Sequence, residues 1–184
     1  MKYFINCGAH KGIAINKFLK DVPDPEAWII HAFEPNPYCV TEYHTGVIRH
    51  NDAIWINDGF INFYVGTIRK RIEGASVIKN KTSGRLDVDN PLRIPCIDFG
   101  AWIKKNFTME DYIVVQMDIE GAEYHVLPSM IKDGSLDYID ILYLEEHHDR
   151  VGISEVDNAK LLKEVAEKTV LRKEYMLWDA KGNK

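Results

Sequence analysis

The sequence predicts a doubly wound α/β fold, a mostly parallel sheet with helices on both faces. Three observations carry this. Strand-like and helix-like segments alternate along the chain. The strand-like segments are apolar on both faces, as in parallel sheets covered on each side. Nearly every polar residue with useful chemistry falls where a predicted strand ends, the edge at which open α/β sheets bind ligands.

Taken in order, residues 3–7 form a short apolar run that ends at Gly8. A helical pattern follows through Ile13, Ala14, Phe18 and Leu19 and is stopped by Pro23 and Pro25. Residues 28–33 form a second apolar run, closed by Glu34-Pro35-Asn36-Pro37, where the prolines cannot extend a ladder and favour a turn. Residues 47–56 and 60–65 flank Asn57-Asp58-Gly59, a hairpin signal. Residues 69–90 lose all periodicity and predict a long, mobile surface loop, a candidate lid. Order resumes over residues 92–102, and residues 112–117 form a strand interrupted only by Gln116.

The next helix carries Val126, Leu127, Met130 and Ile131 and stops at Gly134; Pro128 predicts that it begins late or bends. Residues 138–144 form another strand, ending in Glu145-Glu146-His147-His148. A helix starts at Ser154, with Asp157 placed as in a capping box and Ala159, Leu162, Val165 and Ala166 on one face. Residues 170–178 close the chain as a strand. There are no repeats and no linker, so residues 1–184 are expected to form a single domain.

Composition narrows the function classes. Hydrophobic residues make up 46% of the 184 and charged residues 28%, which is globular. The formal charge of −5, with Ile68-Arg69-Lys70-Arg71 as the longest basic run, argues against nucleic acid and anionic membranes as partners. No run reaches the ~18 apolar residues of a membrane helix, and the first residues lack a secretion signal. Cys7, Cys39 and Cys96 have neither disulfide nor zinc spacing, so a reduced, cytoplasmic setting is expected. Cys7 reads as a small packed residue and not a nucleophile.

The strand ends carry the candidate site. Gly8 and Gly12 frame a turn ahead of a helix N-terminus, where backbone can approach a ligand closely. Glu34 follows at the tip of the second strand, in the register of a carboxylate that accepts hydrogen bonds from ribose hydroxyls. The three-glycine pattern that cradles a pyrophosphate is absent, which suits a cofactor with a ribose and no phosphate. Asp118, Glu120 and Glu123 surround Gly121 after the fourth strand, and His147 ends the fifth. Of the three acids, Asp118 lies nearest the strand end, whereas Glu123 is expected only to cap the helix.

Three blocks, Phe4-Ile5-Asn6-Cys7-Gly8-Ala9-His10-Lys11-Gly12, Phe33-Glu34-Pro35-Asn36-Pro37 and Gln116-Met117-Asp118-Ile119-Glu120-Gly121-Ala122-Glu123-Tyr124, resemble the signature segments of FkbM-type methyltransferases. Residues 51–65, Gly74-Ala75-Ser76 and Glu146-His147 are also similar, in order, over roughly residues 3–150. The resemblance implies a Rossmann-like class I fold, S-adenosylmethionine as cofactor, and methyl transfer to a hydroxyl of a carbohydrate or glycosylated small molecule. Such motifs usually carry an acid where Asn6 stands, so the cofactor's positive charge would be less well offset here.

On this reading Asn6, Gly8, Ala9, His10, Gly12 and Met117 contact the cofactor, Glu34 holds its ribose, and Asn51 or Asp52 lies near its adenine. Asp118, His147 and Glu146 face the acceptor, with His147 the expected general base because it titrates near neutrality. Two rival readings use the same residues. One is a metal-dependent hydrolase built on Asp118, Glu145 and His147, with Glu120, Glu146 and His148 as further ligands. The other is a non-catalytic binder that keeps the fold.

Overall fold

A computed structural model describes residues 1–67 and 72–173 and realises the alternation as one parallel sheet with a smaller sheet beside it. Strand β1 (Lys2–Cys7) leads through α1 (Ile13–Asp21) to β2 (Trp28–Phe33) and β3 (Ile48–His50). Three strands then leave the main sheet: β4 (Ala53–Trp55), β5 (Gly59–Phe63) and β6 (Leu92–Asp98). The chain returns through α2 (Phe99–Asn106) to β7 (Tyr112–Met117), α3 (Glu123–Asp133) and β8 (Ile141–Leu144). The short α4 (His148–Val151), α5 (Glu155–Ala166) and β9 (Val170–Lys173) follow.

The main sheet has the order β3-β2-β1-β7-β8-β9 with every pair parallel. Its winding reverses between β1 and β7, and the crevice at such a switch point is where this architecture takes its ligands. Side chains alternate across the sheet with period 2. Ile5, Cys7, Ile113, Val115 and Met117 pack on one face against Phe99, Ile103, Val126, Leu127, Met130 and Val165 from α2, α3 and α5. Phe4, Ile30, Ala32 and Val114 pack on the other against Ile15 and Phe18 of α1. The three cysteines are buried and free, and burial raises the Cys7 thiol pKa. No helix among the described residues is long and apolar enough to cross a membrane.

The structure corrects several local expectations. The predicted hairpin does not form, because β4 and β5 both pair with β6, which lies between them. The Asn57-Asp58-Gly59 turn instead passes over the end of β6, where Asp58 Oδ1 accepts from the Asp98 N–H at 3.0 Å. Residues 47–56 split between two sheets, and residues 92–102 divide into β6 and the start of α2, capped by Asp98 Oδ1 on the Ala101 N–H at 2.9 Å. Helix α3 does not begin late; it starts five residues before Pro128, which sits exposed within it. Ser154 caps α5 as expected, its Oγ accepting from the Asp157 N–H at 3.1 Å.

The described part of the segment expected to be a mobile surface loop, residues 72–90, is tied down. Tyr64 and Ser76 exchange backbone hydrogen bonds of 2.8 and 3.0 Å, and Asp87 N–H bonds to Val65 O at 2.8 Å. Ser76 and Lys81 are buried. Over residues 72–90, Ser76 and Lys81 make bonds inward, while Lys79, Asn80, Arg85 and Asp89 remain exposed. The basic run at residues 68–71 and the end of the last predicted strand, residues 174–178, lie outside the described residues.

Candidate active site

The ends of β1, β2 and β7 are laced together by backbone hydrogen bonds, which fixes the turns that follow them. Gly8 and Ala9 N–H groups both donate to Phe33 O, at 3.0 and 2.8 Å, and the Asp118 N–H donates to Cys7 O at 3.0 Å. Gly8 has φ +82°, and a Cβ there would lie 1.8 Å from the Asp118 carbonyl oxygen. The glycine is therefore required by the close approach of β1 and β7 before any ligand is considered.

Glu34, 7% exposed at the tip of β2, holds the turn after β1. Its Oε2 accepts from the His10 N–H at 2.7 Å and its Oε1 from the Asn36 N–H at 2.8 Å. Burial raises its pKa, against the two backbone bonds and Arg49, which favour the ionised form. His10 itself has φ +45°, a conformation uncommon for a residue with a side chain. Burial, followed by the nearby Lys11 charge, lowers the His10 pKa, and its Nε2 is buried without a hydrogen-bond partner.

These elements open into two adjoining recesses that share Gly8, His10 and Asp118. The larger is walled by Phe33, Glu34, Ala53, Ile54, Phe63 and Glu120, and closed on one side by residues 72–77. The smaller is lined by Asn6, Ala9, Lys11, Ile13 and Gln116. Segment 72–91 is fastened over the site by Ser76 Oγ donating to Glu120 O at 2.7 Å and Asn36 Nδ2 to Ile72 O at 3.3 Å. Lys81 Nζ donates to Gly74 O at 2.8 Å and pairs with Glu120 Oε2 at 2.8 Å.

Beyond Asp118 the wall becomes acidic. Glu120 has φ +55°, a left-handed conformation at the turn between β7 and α3. Behind it His147 is fully buried, with Nδ1 2.8 Å from Glu123 Oε1. Its Nε2 faces Glu145 Oε1 at 3.3 Å, Glu120 Oε2 at 3.5 Å and Asp118 Oδ1 at 3.7 Å. Burial alone would lower the His147 pKa, but pairing with Glu123 and Glu145 and the charges of Glu123 and Asp118 outweigh it and raise the pKa to about 10. The Glu145 pKa is lowered, first by His147 and against burial. Arg150 adds a weaker counter-charge, 3.8 Å from Glu120 and 3.9 Å from Glu145.

Most of the expected cofactor residues come together: Asn6, Gly8, Ala9, His10 and Glu34 all line the recesses beside Asp118. Gly12, with φ +72°, caps α1 from within the turn. Other expectations are corrected. Met117 is fully buried in the core and lines neither recess, because alternation along β7 turns Gln116 and Asp118 towards the smaller recess instead. Asn51 is exposed and held by Arg49 Nε at 2.8 Å; Ala53 and Ile54, not Asn51 or Asp52, form the wall.

Glu146 is exposed and accepts from Asn158 Nδ2 at 2.7 Å, so its neighbour Glu145 is the one facing the cluster. The burial of His147 and its raised pKa both count against the general-base role expected of it, since an acceptor must reach the ring and the ring must be neutral. Glu123, expected only to cap, accepts from the Gly121 N–H at 2.9 Å and also orients His147. Sequence reasoning does not single out Gln116 or Arg150 for the site, and it leaves Lys81 in the surface loop and not on Glu120. Only Gln116 leaves a signal, as the single polar residue inside an apolar strand.

The family model described as the Methyltransferase FkbM domain matches residues 6–169, a span that runs from within β1 to the residue before β9. No curated protein and no solved structure matches the chain.

Proposed function

The chain belongs to the FkbM methyltransferase family, and on that footing we propose that it transfers the methyl group of S-adenosylmethionine to a hydroxyl of a carbohydrate or glycosylated small molecule. The observation that carries this reading is the pairing, in one cleft at the sheet's switch point, of Glu34 beside the Gly8 turn with Asp118 at the end of β7. The residues suit the cofactor. Each Glu34 oxygen accepts one backbone N–H and retains a lone pair for a ribose hydroxyl. Phe33, Ala53 and Ile54 offer an apolar wall to a purine, and the smaller recess of Asn6, Ala9 and Gln116 offers polar groups to an amino-acid tail.

When bound, the cofactor supplies a methyl group already activated on a sulfonium. The protein's work is then orientation and removal of one proton. Asp118 lines both recesses and is the carboxylate able to hydrogen-bond an acceptor hydroxyl and draw off its proton, a contribution of ~10²–10⁴-fold for a positioned base. Residues 72–77, fastened through Ser76 and Lys81, shield the cleft from bulk water.

The test is incubation of the purified protein with methyl-labelled S-adenosylmethionine and a panel of glycosides and free sugars, read by mass spectrometry. Label found on oxygen supports the reading. A folded protein that binds the cofactor yet labels no hydroxyl overturns the acceptor class.

A further inference from the structure

Methyl transfer gives no role to a fully buried imidazole, that of His147, whose Nε2 makes no hydrogen bond yet faces three carboxylates. We propose that Asp118, Glu120 and His147, with Glu145 beside them, form a divalent-cation site on the wall of the cleft. One ligand atom from each of Asp118, Glu120 and His147 lies within 4.8 Å of the others. Atoms held ~2.1 Å from one cation stand about 3.0 Å apart when adjacent in an octahedron and about 3.4 Å apart in a tetrahedron. The oxygens around Nε2, at 3.3, 3.5 and 3.7 Å, are too far for good hydrogen bonds and near the spacing of shared ligation.

Two independent features point the same way. His147 Nδ1 is 2.8 Å from Glu123 Oε1, which is itself fixed because the other Glu123 oxygen accepts from the Gly121 N–H. A carboxylate on the far nitrogen of a metal-binding histidine sets the tautomer and aims the near nitrogen at the ion. The local charge balance is also negative. Among the described residues, Asp118, Glu120, Glu123 and Glu145 gather around Lys81 and Arg150, an excess of negative charge that a divalent cation would offset. One imidazole among carboxylates suits a first-row ion such as Mn²⁺ better than soft metals. Oδ1 is the Asp118 oxygen facing Nε2, so ligation and contact with the cleft are compatible.

This site goes beyond methyl transfer, and its test does not depend on it. Mn²⁺ is titrated into the full chain without cofactor, and free Mn²⁺ is followed by electron paramagnetic resonance. One site per chain with micromolar affinity is expected, weakened at least ~10-fold in Asp118→Asn and in Glu120→Gln. Glu155→Gln, whose side chain is 88% exposed, should leave it unchanged. Circular dichroism confirms that each variant is folded, and because Asp118 and Glu120 are both partly exposed, neither substitution relies on altering the buried ring. Absence of saturable binding up to millimolar Mn²⁺, or undiminished binding in both folded carboxylate variants, overturns the proposal. Cofactor binding is measured separately by calorimetry, so that Mn²⁺ binding without cofactor binding sinks only the methyl-transfer reading, and the converse sinks only the cation site.

Discussion

Glu34→Gln separates the bracing of the His10 turn from the ribose binding proposed for the same carboxylate. Both oxygens accept backbone N–H groups, from His10 at 2.7 Å and Asn36 at 2.8 Å, while the residue is 7% exposed. Glutamine keeps one acceptor and turns an NH₂ towards the other donor, so one hydrogen bond to a charged group is lost and one N–H is left facing a donor. The cost is ~1.5–3 kcal/mol. With a urea slope of ~2 kcal/mol per molar, the unfolding midpoint falls by roughly 0.7–1.5 M. Loss of a charged acceptor for a ribose hydroxyl weakens S-adenosylmethionine binding by about 10- to 100-fold. Urea denaturation followed by tryptophan fluorescence reads the first effect and calorimetry the second. An unchanged midpoint would refute the bracing of the His10 turn, and an unchanged dissociation constant in the folded variant would remove Glu34 from the cofactor site.

Gly8→Ala should destabilise the fold by at least ~2 kcal/mol, since it adds a left-handed penalty of ~1–2 kcal/mol per residue to a collision with the Asp118 carbonyl; a wild-type melting temperature would contradict this. His31 titrates at about 4, lowered by burial and then by His50, so its folded-state pKa lies below its unfolded value. Its contribution to stability is complete above pH 6.5 and is lost as pH falls towards 4, and His31→Gln should flatten that part of the pH–stability curve. Glu146→Ala should leave turnover within about twofold of wild type, whereas Asp118→Asn lowers it by ~10² or more; equal losses in the two variants would contradict the assignment of Glu146 to the Asn158 side of the strand end.

The parallel sheet was legible because β1, β2, β7 and β8 are apolar on both faces. That same property concealed which side chains reach the site. In an alternating strand polarity reports the face, but in Gln116-Met117 both faces of β7 are covered, and only Gln116 lines the smaller recess. Glu34 and Gly8 could be found because strand-end position alone determines where they lie. Glu145 and Glu146 could not be told apart, since adjacent residues point opposite ways and nothing local marks the direction. The environment of His147 was illegible for a different reason. It is assembled from β7, α3 and β8, and carboxylates distant in sequence invert the effect of burial on its pKa. The order β4-β6-β5 depends on a strand that arrives some thirty residues after the turn it separates, so local turn chemistry pointed to a hairpin that long-range pairing displaced.

The proposed binding of S-adenosylmethionine in the cleft between β1 and β7 is open to isothermal titration of the cofactor into the purified chain. Saturable binding at one molecule per chain, with a dissociation constant on the order of 1–100 μM and a negative heat-capacity change from burial of the purine, is the expected result. No saturable heat up to millimolar cofactor, with the protein folded, would contradict it.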